Sequence, residues 1–435
     1  MGLPVLQYVV QLMPYQTHIQ SYPLTMAYFT KHLLKKLPVI FFSMLGVCVQ
    51  AQDEKPTVSE INKDTADERD LLDIAKAVIH FKTKQIPRKN GKKVYFAVLP
   101  LTSNVPGGGK ALITSTTAGF YMGPRRNTSL SSVSFSPDIS FNGQYGLPLR
   151  SNLWFKQNKF NVLGDTRFLL YPQYTWGLGG SGNAARVLVN YQYIRFYQSV
   201  LKKIRPFVFV GAGYALDYHL NIKTIGDTVG LQKFTGYNSG TRQGQNSFSS
   251  GLLVNFLYDS RVNTINPGSG ASASLMLRAN QQFLGSNTNW KSLMLDLRRY
   301  LAFNKQRQDV LALWAYYWTV LNSDVPYLDL PSIGWDSYQR SGRGIDQNRY
   351  RGSGLVDLEA EYRRDITEDG LFGFVVFANL NAVTEQNKYQ FKYWHPAAGV
   401  GLRIKFNKLS GTNVAIDYAV SKGYSSFYIN LGEVF

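Results

Sequence analysis

The clearest pattern in the chain is a strict alternation of apolar and charged residues that begins after residue 354. One side of this stretch is apolar, and the other is charged: Val356, Leu358, Ala360 and Tyr362 against Asp357, Glu359, Glu361 and Arg363. Successive side chains of a strand point to opposite faces, so the pattern predicts a strand with one apolar and one charged face. Such a strand suits a soluble sheet with one face in water, or an outer-membrane barrel whose outer face meets lipid and whose inner face meets a polar lumen.

The same period of two recurs from about residue 111 to the end of the chain. It covers residues 131–141, 186–196, 207–218, 248–258, 271–283, 291–300, 355–363, 398–406, 414–420 and 427–435. Charges keep to one face, as where Arg403 and Lys405 alternate with Leu402 and Ile404, and this favours a lumen over a sandwich core. The sequence therefore predicts an all-β fold, a transmembrane antiparallel outer-membrane β-barrel of about 16 strands, each long enough to span a bilayer at a tilt.

The start of the chain predicts export. Lys31, Lys35 and Lys36 precede the apolar run 37–49, which is followed by Ala51, a pattern typical of a cleaved signal peptide. Residues 1–51 are then an upstream segment plus signal, with Met26 as the expected start and cleavage after Ala51. The predicted location is the bacterial outer membrane.

The next segment, 52–91, predicts a linker and an amphipathic helix. Residues 67–84 have apolar positions at helical spacing, with acidic residues early and lysines late, which suits the helix dipole. We expect this short helix to pack on the periplasmic rim, with a role as a lumen plug or partner contact as the alternative. The barrel is then expected over residues 92–435.

Composition narrows the function classes. The 435 residues carry a formal charge of +19, but the basic residues are scattered and form no basic helix, so we expect no nucleic-acid partner. Cys48 is the single cysteine and falls in the signal segment, which leaves no thiol chemistry in the mature chain. Residues 106–110 (PGGGK) lack the flanking residues of a phosphate loop. Three histidines follow the signal, His80, His219 and His395, with no catalytic or metal-ligand motif around them, so we expect no enzyme, no metal and no cofactor.

Three local motifs resemble those of the BamA/TamA outer-membrane assembly superfamily. The segment 258–270 (YDSRVNTINPGSG) is similar to its strand-turn motif through Asp259, Arg261, Asn263, Pro267 and Gly270. Arg343, Gly344 and Ile345 resemble the motif of its sixth loop, and the end of the chain resembles its closing strand through Phe427, Ile429, Leu431 and Phe435. The similarity spans roughly residues 92–435.

The resemblance implies a specific lumen arrangement. In this superfamily the sixth loop folds into the lumen and its arginine pairs with acidic groups on the next two strands. The corresponding residues here are Arg343 and Glu361, with Asn379 where the superfamily usually has an aspartate. Ile345 replaces the usual stacking aromatic residue.

The resemblance also implies a function. Members assist the insertion or translocation of proteins or lipids, so the implied partners are outer-membrane lipid and client outer-membrane proteins. Members that do so carry periplasmic POTRA domains, and none fits within residues 52–91, so a periplasmic partner would have to supply client capture. The alternative is a passive channel or receptor whose basic lumen, with Arg278, Arg298, Arg403 and Lys405, admits anionic solutes.

Overall fold

The computed structural model describes residues 68–74, 94–105, 109–140, 145–170, 172–182, 185–226, 229–261, 263–304, 309–337, 339–386 and 388–435. The predicted signal peptide, the start at Met26 and the predicted helix beyond residue 74 lie outside these ranges. Within them, no helix has the length and apolarity needed to cross a membrane.

The regular structure of the described chain is almost entirely antiparallel sheet. Its strands are β1 (Val94–Val105), β2 (Gly109–Phe120), β3 (Ser131–Phe135), β4 (Asp138–Ser140), β5 (Tyr145–Trp154), β6 (Phe160–Leu170), β7 (Gln173–Thr175), β8 (Val187–Arg205), β9 (Val208–Ile225), β10 (Gln245–Asp259), β11 (Gly270–Asn280), β12 (Trp290–Asn304), β13 (Asp309–Val320), β14 (Gly354–Asp365), β15 (Phe372–Val383), β16 (His395–Asn407), β17 (Thr412–Ser421) and β18 (Tyr424–Leu431). A short helix, α1 (Leu231–Thr235), lies between β9 and β10.

These strands fill sixteen positions around a nearly closed barrel. β3 and β4 share one position, because both pair with β2 and β5, and β6 and β7 share another beside β8. Each break contains a proline, Pro137 or Pro172, which lacks the N–H that would continue the ladder. The predicted barrel and the expected strand number are confirmed.

The barrel has one seam. Each position pairs with its neighbour along the chain, from β1 with β2 to β17 with β18. β1 and β18 have Cα atoms within 8 Å of each other. Among the described residues no backbone ladder joins them, so the wall is closed by hydrogen bonds everywhere except here.

The two faces of the wall differ as the alternation predicts. In β14, Leu358 is exposed on the outside while Glu359 and Glu361 are buried inside. Long connections lie at one end of the barrel, which we call the loop end: 176–186, 226–244 and 321–353. Shorter turns lie at the opposite end, which we call the near rim, including 155–159, 206–207, 366–371 and 408–411.

Residues 68–74 are docked on the near rim. Residues 71–74 are helical, and the Asp70 carboxylate caps them by accepting a hydrogen bond of 2.8 Å from the Asp73 N–H. Glu68 binds Lys405 at 3.2 Å, and Lys408 binds Asp73 at 2.9 Å. The start of the predicted amphipathic helix therefore lies against the turns after β14 and β16.

The prediction that the closing strand runs to the last residue is wrong. Phe427, Ile429 and Leu431 share the outer side of β18, as expected for a closing strand, and Phe427 is 65% exposed. The strand ends at Leu431, however, and Gly432 has a φ of 89° that turns the chain out of the wall. Phe435 is buried against Trp314, with 5.3 Å between the ring centroids. Phe435 is therefore a contact inside the barrel and not part of the closing strand.

Candidate functional site

The connection between β13 and β14 carries Arg343 to the inner wall of the barrel. Its guanidinium lies 2.7 Å from the Glu361 carboxylate, 3.3 Å from Glu359 and 3.0 Å from Asp417. Glu359 and Glu361 come from β14 and Asp417 from β17. The Arg343 side chain is 2% exposed and its three acidic partners are fully buried. This arginine thus joins its own loop to two separate strands.

The surroundings of Arg343 keep it charged. Burial lowers the pKa of its guanidinium, but Glu361, Glu359 and Asp417 outweigh that effect and hold the pKa above its ordinary value. A bidentate or forked arrangement of carboxylates around a guanidinium also fixes its direction. The arrangement is suited to hold a loop in one position.

The other predicted members of this cluster differ from expectation in detail. The side-chain amide of Asn379 donates a hydrogen bond of 2.7 Å to the main-chain oxygen of Arg343, so it holds the backbone and not the guanidinium. Gly344 donates its N–H to the Tyr428 hydroxyl at 2.9 Å. Ile345 is buried among apolar residues, and the ring that stacks on the guanidinium is Phe377 of β15.

Sequence reasoning missed three groups in this cluster, Glu359, Asp417 and Phe377. The alternation places Glu359 on the inner face of β14, but it does not indicate which inward carboxylates come together. Strand register supplies that information only in part, because Asp417 lies three strands away from Glu359 around the wall. The loop itself brings these groups together.

The same connection also binds the opposite wall. Arg167 of β6 donates to the Ser337 carbonyl at 2.6 Å, and Arg150 of β5 donates to Gln339 at 3.0 Å. Further toward the loop end, Asn348 donates to Gln173 of β7 at 2.7 Å. Residues 337–348 therefore span the interior from β5–β7 to β14–β17.

The inner cations that motivate the channel hypothesis all have acidic partners. Arg298 binds Asp296 at 2.7 Å, Arg403 binds Asp417 at 2.5 Å, and Lys405 binds Glu68. Arg278 binds Asp217, which also accepts hydrogen bonds from Tyr193 and Tyr197 at 2.5 Å. The positive charge of these residues is neutralised locally, which removes the main argument for an anion-attracting lumen.

The strand-turn motif, residues 258–270, lies at the near rim. Arg261 forms two hydrogen bonds with Asp259, at 2.8 and 3.0 Å, which fix the exit from β10. The Asn263 amide donates to the Ser410 carbonyl at 2.9 Å, in the turn between β16 and β17. Gly270 has a φ of 97°, and a Cβ there would lie 2.8 Å from the Ser260 oxygen, so glycine is required.

The residues after β18 add to the same interior network. Glu433 binds Arg403 at 2.7 Å and accepts a hydrogen bond from Asn413 at 2.8 Å. Its backbone carbonyl accepts a hydrogen bond from Arg340 of the β13–β14 connection. Pro267 of the strand-turn motif accepts one of 3.4 Å from Arg363, which also donates to the Phe435 carbonyl at 2.8 Å.

A cavity of about 690 Å³ remains between the β13–β14 connection and the wall of β2–β5. Hydroxyl side chains dominate that wall: Ser115, Thr117, Ser132, Ser134, Ser136 and Ser151. The rest of its lining comes from β6, β8 and β10–β12, and from β18 and the residues after it. This cavity therefore extends from the wall of β2–β5 to β18 and across to β10–β12.

Comparison with known proteins identifies the fold. No protein-family model matches the chain, and no curated protein matches it. Among solved structures, CdiB from Acinetobacter baumannii matches with a TM-score of 0.50 and 12% identity over 79% of this chain and 66% of that one. CdiB from Escherichia coli matches with 0.49 and 11%, over 79% and 67%. BamA from Haemophilus ducreyi lacking POTRA domains 1–3 matches with 0.47 and 15%, over 79% and 70%.

The match to CdiB from Acinetobacter baumannii shows a shared barrel fold, which confirms the expected fold class. At this identity the likeness concerns the fold and leaves the activity open.

Proposed function

We propose that this chain is a bacterial outer-membrane barrel that assists the insertion or translocation of proteins or lipids, with its sixth loop serving as an internal plug. The sixth loop is the β13–β14 connection, residues 321–353. The observation that carries the proposal is Arg343, which ties this loop to β14 and β17 while residues 337–348 also bind the opposite wall.

The seam supplies the second half of the argument. An unpaired strand edge is costly in lipid, because its N–H and C=O groups find no partner there. The edges of β1 and β18 lack a ladder in the described residues, and residues of β18 line one side of the hydroxyl-rich cavity. A client strand that pairs with one of these edges would satisfy its groups.

Conductance tests whether the loop acts as a plug. The refolded full chain is placed in a planar bilayer and compared with Arg343→Ala and with Arg364→Ala, whose arginine is 37% exposed and lies 3.7 Å from Asp309. We expect little current from the parent and from Arg364→Ala, and noisy openings from Arg343→Ala. Large steady openings in all three would reject the plug and support a passive channel.

Client folding tests the assembly activity itself. Vesicles with and without the barrel receive a urea-unfolded outer-membrane protein, and folding is followed by its gel shift. We expect faster folding with the parent barrel and a loss of that acceleration when introduced cysteine pairs lock β1 to β18. An acceleration that survives the locked seam would exclude the seam as the working surface.

A further inference from the structure

Seven cations cover one sector of the near rim. They come from the connection after β2, from the β5–β6 turn and from the end of β8. We call this set the basic rim: Arg125, Arg126, Lys156, Lys159, Lys202, Lys203 and Arg205. All of them are exposed except Arg125, which is half-buried and lies 5.0 Å from the centroid of the Tyr121 ring.

The three segments of the basic rim are bound to one another. Met122 and Phe155 form an isolated bridge, and the Gln157 N–H donates to the Thr128 hydroxyl at 3.0 Å. The Lys203 N–H donates to the Lys159 carbonyl at 2.9 Å. The cations therefore share one continuous surface.

The basic rim lacks internal neutralisation. The stretches 121–130, 155–159 and 201–207 contain no Asp or Glu. Within the described part of the chain, none of the seven cations forms an ion pair. This contrasts with the paired cations inside the barrel. A concentration of like charge raises the local potential and attracts anions.

The basic rim borders the outer apolar face of the barrel. Lys202 pairs in register with Phe160, and the next outward pair along these strands is Val162 with Val200. Val200 is 53% exposed and Ile204 is 58% exposed. Lysine and arginine at such a boundary extend their charged ends to the interface while their stems contact apolar surface.

We propose that the basic rim binds the phosphate groups of anionic phospholipids in the leaflet that the near rim faces. Phosphate oxygens are strong acceptors for lysine and arginine, and the adjoining apolar face positions the acyl chains beside them. The proposal rests on the membrane location in the proposed function, but it is independent of the plug and of transport. An acidic partner protein would use the charge but not the adjoining apolar face.

Lipid binding to the full chain in detergent tests this. Native mass spectrometry counts bound phosphatidylglycerol and phosphatidylcholine for the parent, for K156Q/K159Q/K202Q, and for the loop-end control K223Q/K233Q/R242Q. The control residues are also exposed cations. We expect the parent and the control to prefer phosphatidylglycerol, and the rim variant to lose about fivefold in that preference for each neutralised lysine. Added salt reduces the preference of the parent.

Three further measurements distinguish the ways in which the proposal could fail. Flotation with neutral vesicles checks the membrane location, and failure to float contradicts the premise. If the parent floats but shows no preference, or if the loop-end control loses as much, the lipid proposal is wrong. Rim-dependent binding of poly-glutamate without any phosphatidylglycerol preference would assign the surface to an acidic protein. Equal competition by inorganic phosphate would assign it to free phosphate.

Discussion

The guanidinium carbon of Arg343 lies 3.6 Å from the centroid of the Phe377 ring. The arginine belongs to the β13–β14 connection and the ring to β15, so the loop is held by an aromatic contact as well as by carboxylates. A cation over an aromatic face in a desolvated site contributes about 2 kcal/mol. Ile345 is not aromatic and cannot stack on the guanidinium. The ring of Phe377 in the barrel wall stacks there instead.

Replacing this ring should loosen the loop without opening the wall. We expect Phe377→Leu to lower the unfolding free energy by about 2 kcal/mol, because it removes the stacking while keeping an apolar side chain. The control is Phe374→Leu on the outer face of the same strand, where the ring contacts Tyr362 and, among the described residues, no cation. Urea unfolding of both variants in detergent micelles measures the difference, and equal losses would contradict a specific role for the stacking.

The carboxylates around Arg343 should matter more than those at the surface. We expect Glu361→Gln to cost about 3 to 5 kcal/mol, because it leaves buried charge uncompensated near Arg343 and Arg363. Arg364→Ala removes a longer pair, 3.7 Å from Asp309, whose arginine is 37% exposed, and should cost about 1 kcal/mol or less. The same unfolding measurement applies, and a loss below about 1 kcal/mol for Glu361→Gln would mean that water screens this part of the interior.

The tip of the loop should not accept a methyl group. Gly344 has a φ of 88°, and a Cβ there would lie 3.1 Å from the Ala419 Cβ and 3.2 Å from the Ala397 Cβ. Gly423 has a φ of 77° but no atom within 4 Å of such a Cβ. We therefore expect Gly344→Ala to lower the free energy of unfolding by about 1 to 3 kcal/mol more than Gly423→Ala does. Both substitutions strain the backbone, but only the one at Gly344 also crowds neighbouring atoms. Limited proteolysis of residues 321–353 provides a second readout, in which the first variant alone is cleaved faster.

Glu433 should make stability depend on acidity. Burial raises the pKa of its carboxyl, but Arg403 and Arg363 outweigh burial and hold the pKa below its ordinary value of 4.5. A depressed pKa stabilises the fold above the unfolded value, and this stabilisation is lost as the pH falls through the folded value. We expect the Tm gap between the parent and Glu433→Gln to be constant above about pH 5 and to shrink below about pH 4.5. A gap that widens on acidification would show that the carboxyl is not stabilised by these arginines.

The sequence predicts the wall well because alternation is a local property. The strand predicted over residues 355–363 is β14 (Gly354–Asp365), and the strand predicted over 398–406 is β16 (His395–Asn407). The positions shared by β3 with β4 and by β6 with β7 were not predicted, since short interrupted strands carry too few alternating residues. Their breaks coincide with prolines, and that signal was available.

The interior is less predictable, because it depends on contacts between distant strands. Alternation places Glu361 inside but does not bring Asp417 or Phe377 toward Arg343. The resemblance indicates Arg343 with Glu361, which the structure places 2.7 Å apart. The inward turn of Glu433 depends on Gly432 and on Arg403, which belongs to another strand. No pattern within the last strand contains that information.

The early end of β18 has a consequence for the surrounding lipid. This strand has eight residues, whereas β1 on the other side of the seam has twelve. Strands that cross a bilayer at a tilt need about 9 to 11 residues, so β18 is too short for an unperturbed membrane. We expect the bilayer to become thinner beside it, at a modest energy per ångström of mismatch. The thinned lipid would then lie beside the seam, where no ladder closes the wall among the described residues.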